Sequence, residues 1–332
     1  MEASRATTAT AWELGGVRQV LADYVTLTKP KVQLLLLLTT VTTMYVAGDP
    51  SLSLIVLTLL GGSLSAGGAA AVNHYWDRDI DAQMARTATR PVPSGRVSPR
   101  AALIYGVVLE VLSFALLAGA VNVLSAVLAL SGFLGYVFVY TIWLKRRSPQ
   151  NIVIGGAAGA VPPLVGWAAV TGGLDPAALY LFAIVFYWTP PHFWALSLLM
   201  KNEYARVGVP MMPVVHGEKE TRRQIVLYTI LLGALTLLPV VFGFFGVLYG
   251  AVALGLGTAF LVLALRLQRR ADRASALRTY LFSLAYLAVL FAAMVLDARL
   301  LGEGRTSTAA GYGGRGIGRA GGPWRLDRRM DG

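Results

Sequence analysis

The sequence predicts an all-α, polytopic membrane protein with about nine transmembrane helices. Of its 332 residues 56% are hydrophobic and only 14% are charged, whereas about a quarter of a soluble domain is charged. Apolar segments of roughly 20 residues, the length that crosses the hydrocarbon core of a bilayer, recur along the chain. We expect spans near residues 28–47, 52–75, 101–119, 122–142, 151–171, 177–200, 224–242, 246–267 and 279–298.

Two kinds of loop alternate between these spans. One kind is short and lacks Lys and Arg, and the other is basic, as in residues 78–100, 145–147, 201–223 and 269–273. By the positive-inside rule the basic loops and the N-terminus face the cytoplasm, and the C-terminus lies outside. The net charge of +12 then indicates topology and anionic lipid rather than nucleic acid. We expect a multi-pass protein of the cell inner (plasma) membrane.

The chain divides into three parts by composition. Residues 1–24 carry charges and no continuous apolar core, which predicts a cytoplasmic segment rather than a secretory signal. Residues 25–300 hold all the spans. Residues 301–332 are rich in Gly and Arg without an apolar period, which predicts a disordered tail. The absence of cysteine excludes disulfides, thiolate metal sites and Cys nucleophiles.

A polar run of residues 73–81 directly follows the second span. Asn73, Asp77 and Asp81 are spaced by four, so on a helix successive members drift by only about 40° and line one stripe. Asp79 projects to the opposite side from Asp77. Carboxylates this close repel one another unless a cation joins them, and oxygen ligands in a row suit Mg²⁺.

Arginines follow the acidic stripe. Arg86 and Arg90 carry guanidinium groups that match phosphate oxygens, so carboxylates, Mg²⁺ and arginine together predict a diphosphate-binding site. The alternative is a solvated helix end whose acids pair with Arg78 and Arg86. Three acids beside a membrane span make that alternative costly.

The sixth span carries two adjacent prolines. Pro190 and Pro191 predict a broken helix, which membrane proteins tolerate where it lines a cavity. His192 either binds a ligand, moves a proton, or bonds to a backbone group that the prolines free. Beyond the span, Lys201 contacts phosphate or only sets topology, and Glu203 is a candidate ligand for a second Mg²⁺.

A third cluster follows the fourth span. Tyr140 is placed to flank a carbocation, or it belongs to an interfacial aromatic belt. Lys145 and Arg146 come directly after it. Lys29, at the start of the first span, is either a phosphate contact or a snorkelling anchor.

These motifs resemble a known family. The pattern Asn-x-x-x-Asp-x-x-x-Asp after a transmembrane helix resembles the first aspartate-rich motif of the UbiA-type intramembrane prenyltransferases. A finer resemblance, to the branch of that family that farnesylates protohaem IX, extends over about residues 20–300. It is carried by the blocks at residues 24–30, 73–96, 140–146, 188–196 and 208–213.

The resemblance implies a fold and a reaction. It implies a nine-helix bundle around a central cavity, with residues 25–300 as the prenyltransferase domain. Farnesyl diphosphate would react with a vinyl group of haem B, with addition of water, to give haem O and diphosphate for terminal oxidases. Further expected partners are the lipid bilayer and haem A synthase or oxidase assembly factors, and no nucleic acid.

The resemblance also implies roles for residues. Asn73, Asp77 and Asp81 are expected to bind Mg²⁺ as the cofactor and to be catalytic. Glu203 stands where relatives commonly have Asp, which weakens a second fully acidic Mg²⁺ site. The expected substrate contacts are Lys29, Arg86, Arg90, Tyr140, Lys145, Arg146, His192, Lys201 and Glu203.

Three other functions stay open on the sequence. The nearest is a UbiA-type prenyltransferase with another aromatic or tetrapyrrole acceptor. A transporter would use intramembrane acids for a coupling ion, but such sites lie near the midplane, whereas these acids lie at one face. The third is a haem-binding assembly protein without catalysis.

Overall fold

The computed structural model describes residues 16–310, with side chains described to residue 300, and all regular secondary structure in this part of the chain is helical. We number the helices in chain order, beginning with α1 at residues 16–27. The others are α2 (Pro30–Ala47), α3 (Leu52–Trp76), α4 (Arg78–Gln83), α5 (Pro99–Ala120), α6 (Val123–Leu134), α7 (Asn151–Gly159), α8 (Val161–Thr171), α9 (Pro176–Leu199), α10 (Lys201–Arg206), α11 (Met212–Val215), α12 (Gly217–Val241), α13 (Val247–Arg270) and α14 (Arg273–Ala310).

The predicted membrane architecture is confirmed. Within residues 16–310, eight helical stretches are long and apolar enough to cross a membrane: α2, α3, α5, α6 with its continuation to Leu144, α7 with α8, α12, α13, and α14 up to Leu300. The remaining predicted span, the sixth in chain order, is α9. It has 24 residues, enough for about 36 Å of helix, but its Tyr, Trp, Pro and His residues make it less apolar than the eight.

Polar side chains cap two of the helices that follow the short loops. Ser51 accepts a hydrogen bond from the backbone of Leu54 at the start of α3 (3.2 Å), and Asn122 accepts one from Ser125 at the start of α6 (2.8 Å). Such caps satisfy backbone N–H groups that a helix start leaves without partners. Ser51 and Asn122 therefore indicate in the sequence where α3 and α6 begin.

Helices α3 and α5 approach closely through glycine. A Cβ atom on Gly68 would lie 2.6 Å from the carbonyl oxygen of Gly106, and one on Gly106 would lie 2.7 Å from that of Gly68. The Ser113 hydroxyl donates to the Gly61 carbonyl at 2.7 Å in the same interface. Small residues allow this contact because packing, not hydrophobic burial, holds helices together in lipid.

The prediction of a broken helix at Pro190 and Pro191 is wrong, because α9 runs through both prolines without a break. Proline lacks an N–H group, so the carbonyls of Phe186 and Tyr187 lose their usual helical donors. Both prolines are buried, and α9 packs against α7, α12 and α14. That packing keeps the helix continuous.

Two irregularities occur elsewhere in the spans. The fifth span divides at Ala160 into α7 and α8, and Pro162 lies in the first turn of α8, where proline suits a helix start. The fourth span changes after α6 into a π-helix over Gly135–Leu144, closed by the hydrogen bond from Lys145 N–H to the Tyr140 carbonyl (2.8 Å). Both irregular segments border the candidate site.

The ends of the chain lie partly outside the described residues. Helix α14 continues to Ala310 and so includes the first ten residues of the predicted tail. The remainder of that tail, 311–332, and the first 15 residues of the N-terminal segment lie outside the part of the chain that the structure describes.

Candidate active site

The predicted acidic stripe forms at the end of α3. Although α3 ends at Trp76 and α4 begins at Arg78, hydrogen bonds from Asp77 N–H to the Asn73 carbonyl (2.9 Å) and from Asp81 N–H to the Asp77 carbonyl (2.8 Å) continue the helical period across the junction. Asn73, Asp77 and Asp81 are only 3%, 1% and 4% exposed. The stripe is therefore buried, and the alternative of a solvated helix end is wrong.

Each acid of the stripe contacts at least one cation from another segment of the chain. Lys145 forms an ion pair with Asp77, and the Arg146 guanidinium lies 3.5 Å from the other oxygen of that carboxylate. Arg90 contacts Asp81 at 2.7 Å. The four predicted substrate contacts Lys29, Arg90, Lys145 and Arg146 thus converge on the stripe.

Asn73 links the acids to Lys29. Its amide oxygen accepts a hydrogen bond from Lys29 Nζ at 2.8 Å. Its amide nitrogen donates to Asp77 Oδ2 at 2.6 Å and to the Thr141 hydroxyl at 3.2 Å. Sequence reasoning missed Thr141, whose only signal was its place four residues before Lys145 in the polar end of the fourth span.

Thr141 lies in the π-helix and Lys145 directly follows it. A π-turn takes i→i+5 hydrogen bonds, and here Lys145 N–H reaches back to Tyr140. Thr141 then contacts Asn73 while Lys145 contacts Asp77. π-bulges of this kind are frequent at functional sites.

The charged groups at the site shift one another's pKa values. Burial alone would lower the pKa of Lys145, but the charge and hydrogen bond of Asp77 hold that pKa above its usual value. Burial, together with the charges of Arg90 and Lys145, lowers the pKa of Lys29 to about 7. An anion bound among these cations would favour their charged forms.

Asp79 is set apart from the stripe, as the helical spacing predicts. Its side chain is 58% exposed, and it accepts two hydrogen bonds from the Arg146 guanidinium, at 2.7 and 2.8 Å. These hydrogen bonds lower the pKa of Asp79. Because Arg146 also donates to the Trp76 carbonyl at 3.0 Å, Asp79 holds Arg146 beside Asp77.

The stripe fits a magnesium ion through its two carboxylates. Asp77 Oδ1 is buried and accepts no hydrogen bond from the described residues, and its contact with the Arg146 guanidinium is 3.5 Å long, so this oxygen is a candidate metal ligand. Within the described residues no group of three His, Cys, Asp or Glu side chains converges. Mg²⁺ commonly takes only one or two carboxylates and completes its shell with water and phosphate, so two acids suffice.

An apolar cavity opens beside the stripe. It has a volume of about 210 Å³ and lies between α2, α3, α6, α7 and α8. Lys29 lines one end of the cavity and also contacts Asn73. The cavity and the acidic stripe therefore share one polar boundary, and Tyr136 lies at the same end.

Other predicted residues lie around or away from this cluster. Arg86 is exposed, and Tyr140 packs over Gly155, where a Cβ atom would lie 2.5 Å from its ring. Lys201 pairs with Glu218 of α12 at 3.1 Å rather than with the stripe. Glu203 has a buried carboxylate oxygen that no described residue hydrogen-bonds.

His192 belongs to an aromatic cluster between α9 and α14. Its Nδ1 lies 2.7 Å from the Ser283 hydroxyl, and its ring stacks on Trp188 at 4.2 Å between centroids. The Tyr280 ring is also in contact with it, at 5.0 Å between centroids. The predicted bond from His192 to a backbone group freed by the prolines is wrong, because the partner is a hydroxyl of α14.

The fold and the site define an integral membrane protein with an acid-and-cation cluster at the mouth of an apolar cavity. Residues 36–292 match the UbiA prenyltransferase family, and the chain belongs to that family. It is 57% identical over 286 residues to the Protoheme IX farnesyltransferase of Roseiflexus sp. (strain RS-1), covering 86% of this chain and 54% of the relative. It is 54% identical to the Protoheme IX farnesyltransferase of Symbiobacterium thermophilum, covering 84% and 95%.

The chain spans about half the length of the Roseiflexus relatives. Among solved structures, the fold is similar to that of a digeranylgeranylglyceryl phosphate synthase, with a TM-score of 0.70, 18% identity and coverage of 84% of this chain and 99% of the other. It is also similar to a UbiA homolog from Archaeoglobus fulgidus bound to DMAPP and Mg²⁺, with a TM-score of 0.62, 20% identity and coverage of 82% and 99%. At these identities the similarity shows a shared fold.

Proposed function

We propose that this protein transfers the farnesyl group of farnesyl diphosphate to a vinyl group of haem B, with addition of water, giving haem O and diphosphate. One observation carries the proposal: an apolar cavity ends at Lys29, which contacts Asn73 of a buried acid-and-cation stripe. A prenyl chain and its diphosphate need these two environments side by side. The names of the relatives support haem B as the acceptor.

The stripe would activate the leaving group. Asp77 and Asp81 are the candidate ligands of Mg²⁺, which when bound would neutralise charge on the departing diphosphate. Asn73 is a third candidate, although its amide oxygen faces Lys29 in this structure. Arg90, Lys145, Arg146 and Lys29 would bind phosphate oxygens, with Arg86 and Lys201 as outer phosphate contacts and Glu203 as a ligand of a second Mg²⁺.

The transfer step follows from this arrangement. The bond between C1 of the farnesyl group and its oxygen breaks, and both electrons leave with diphosphate. The terminal vinyl carbon of haem attacks C1, water adds to the neighbouring carbon, and that water loses a proton. The cavity wall would keep the allylic cation from meeting water early. Tyr136 lines the cavity and contacts the ring of Tyr140, and aromatic rings of this kind can stabilise a cation.

The acceptor would meet the protein through His192. Ser283 engages Nδ1 of this ring, so Nε2 is the atom left for the haem iron or for a proton. Haem O would pass to haem A synthase or to oxidase assembly factors in the same membrane.

A single assay tests the proposal. Purified protein in lipid is given farnesyl diphosphate, Mg²⁺ and haem B, and the products are separated and weighed by mass spectrometry. We expect haem O and diphosphate in equal amounts. Product with another aromatic or tetrapyrrole acceptor, and none with haem B, would replace haem as the acceptor. Haem retention without any turnover would favour a non-catalytic assembly protein.

A further inference from the structure

We propose that the depth of the cavity sets the prenyl chain at 15 carbons, and that Gly62 at its closed end is the residue that determines this length. The inference rests on the proposed function, because it describes how the donor of that reaction is selected. It concerns residues on α2 and α3 that line the cavity far from the acidic stripe.

The depth of the cavity is the same along α2 and along α3. On α2 the lining runs from Lys29, at the polar mouth, to Thr40, which is about 16–17 Å at 1.5 Å per residue. On α3 the deepest lining residue is Gly62, and the rise from Asn73 to Gly62 is again about 16–17 Å. Both measurements begin at the same place, because Lys29 and Asn73 contact each other.

The deep end is closed by packed side chains. Thr58, one turn beyond Gly62 on α3, is fully buried, and so is Met44, one turn beyond Thr40 on α2. Met44 belongs to a buried cluster with Ile55 and Ala169. A chain that reaches the level of Gly62 therefore meets packed side chains if it continues along α2 and α3.

This depth selects among prenyl chains. An extended chain of single bonds advances about 1.27 Å per bond, as three bonds span about 3.8 Å in a backbone. The 12 main-chain carbons of a farnesyl group then extend about 14 Å, those of geranyl about 9 Å, and those of geranylgeranyl about 19 Å. Farnesyl fills the cavity, geranyl leaves its end empty, and geranylgeranyl is too long.

Gly62 is the position where a side chain would enter the empty space. A Cβ atom there would meet no atom within 4 Å, whereas one on the neighbouring Gly61 would lie 2.5 Å from Leu117. Gly62→Leu adds four carbons, close to the five of one isoprene unit. The variant should therefore shorten the accepted chain by about one unit without disturbing helix packing.

The test compares donors on three proteins. Wild type, Gly62→Leu and Gly255→Leu are assayed with geranyl, farnesyl and geranylgeranyl diphosphate and haem B, and kcat/KM is measured for each donor. Gly255 is the matched control, because it lies on α13 outside the cavity and its Cβ would also meet no atom within 4 Å. We expect Gly62→Leu to raise the geranyl-to-farnesyl ratio of kcat/KM at least tenfold, the usual scale of a methylene-sized change in a pocket. Gly255→Leu should leave that ratio unchanged.

A smaller substitution keeps the test decisive. Gly62→Ala should shift the ratio in the same direction by a smaller factor. An unchanged ratio in both Gly62 variants, or an equal loss with all three donors, would overturn the role of Gly62. Wild type that uses none of the donors would instead contradict the proposed function, so the two failures are distinguishable.

Discussion

Asp77 lies between Lys145 and Arg146, and Asp81 accepts a hydrogen bond from Arg90. The contacts of Asp77 join residues more than 60 positions apart in the sequence, whereas Asp81 and Arg90 are only nine positions apart. Asp79 differs from both because it is exposed and serves Arg146. We therefore expect Asp79 to have a different function from Asp77 and Asp81, although the three acids are close in the sequence.

The first prediction separates the stripe from its exposed neighbour. Asp77→Asn should lower kcat for haem O formation by about 10²–10³, the loss expected when one group that stabilises transition-state charge is removed. Asp79→Asn, the matched control, should lower it less than tenfold. Equal losses in the two variants, at equal protein levels in the membrane, would contradict the assignment of Asp77 to the reacting diphosphate.

The second prediction concerns the ion pair of Lys145. Lys145→Met leaves the buried Asp77 without its main cation, and breaking a buried pair costs about 3–5 kcal/mol. Lys201→Met removes one of two cations that pair with Glu218, an acid that is 41% exposed and keeps Arg222, and should cost at most about 1 kcal/mol. Thermal unfolding in detergent measures both. Similar melting temperatures for the two variants would show that the Lys145 pair is not structurally important.

The third prediction tests His192. His192→Ala should weaken haem B binding, measured by the change in haem absorbance on titration, and should leave farnesyl diphosphate binding within about twofold. Phe193→Ala, at the neighbouring half-buried position, is the control for packing. Unchanged haem affinity and turnover in His192→Ala would assign this ring to the aromatic cluster alone.

At the scale of the element, the helices differ in how they approach one another. Helices α3 and α5 meet through Gly68 and Gly106, while the largest buried cluster fills the space between α8, α9, α12, α13 and α14 with aromatic side chains. The glycine contact keeps α3 close to α5 on the side away from the cavity. It thus fixes the wall that carries both Gly62 and the stripe.

The fourth prediction tests this glycine contact. Gly106→Ala places a Cβ atom 2.7 Å from the Gly68 carbonyl and should destabilise the protein by about 1–3 kcal/mol, the usual cost of overpacking. Gly119→Ala, on the same helix, adds a Cβ that meets no atom within 4 Å and should be neutral or slightly stabilising. A melting temperature that falls equally in both variants would contradict close packing as the cause.

The sequence predicts the helices better than their irregularities. Nine spans follow from apolar length, and the stripe follows from the spacing of four, because both are properties of a single helix. The π-helix over Gly135–Leu144 and the division at Ala160 are not visible in that way. The prediction that the prolines break α9 is wrong, because packing against neighbouring helices decides whether a proline interrupts a buried span.

The cations of the site were predictable as residue types but not as pairs. Lys145, Arg146, Arg90 and Lys29 come from three loops, and only the packing of the bundle decides which acid each one meets. Lys201 shows the limit, because its partner is Glu218 on α12 rather than an acid of the stripe. Contacts between distant segments need the tertiary structure.

At the scale of the whole molecule, the fifth prediction concerns orientation. The chain has no cysteine, so each introduced cysteine is a single reactive thiol. Ala205→Cys, exposed on α10, should react with a membrane-impermeant maleimide only when the cytoplasmic side is accessible. Leu174→Cys, exposed between α8 and α9, should react from the outside of intact cells. The reverse pattern would invert the topology given by the positive-inside rule.

The pairing of each buried acid with its own cation has a consequence for the order of binding. On the proposed function, a metal ion bound to Asp77 and Asp81 weakens the attraction of these carboxylates for Lys145 and Arg90, which contact them in this structure. Lys145 and Arg90 can then bind phosphate oxygens. Binding of the metal therefore favours binding of the diphosphate, and binding of the diphosphate favours binding of the metal. Such linkage is reciprocal: the factor by which Mg²⁺ tightens farnesyl diphosphate is the factor by which farnesyl diphosphate tightens Mg²⁺. On this function Mg²⁺ and farnesyl diphosphate each bind weakly to the site when the other is absent.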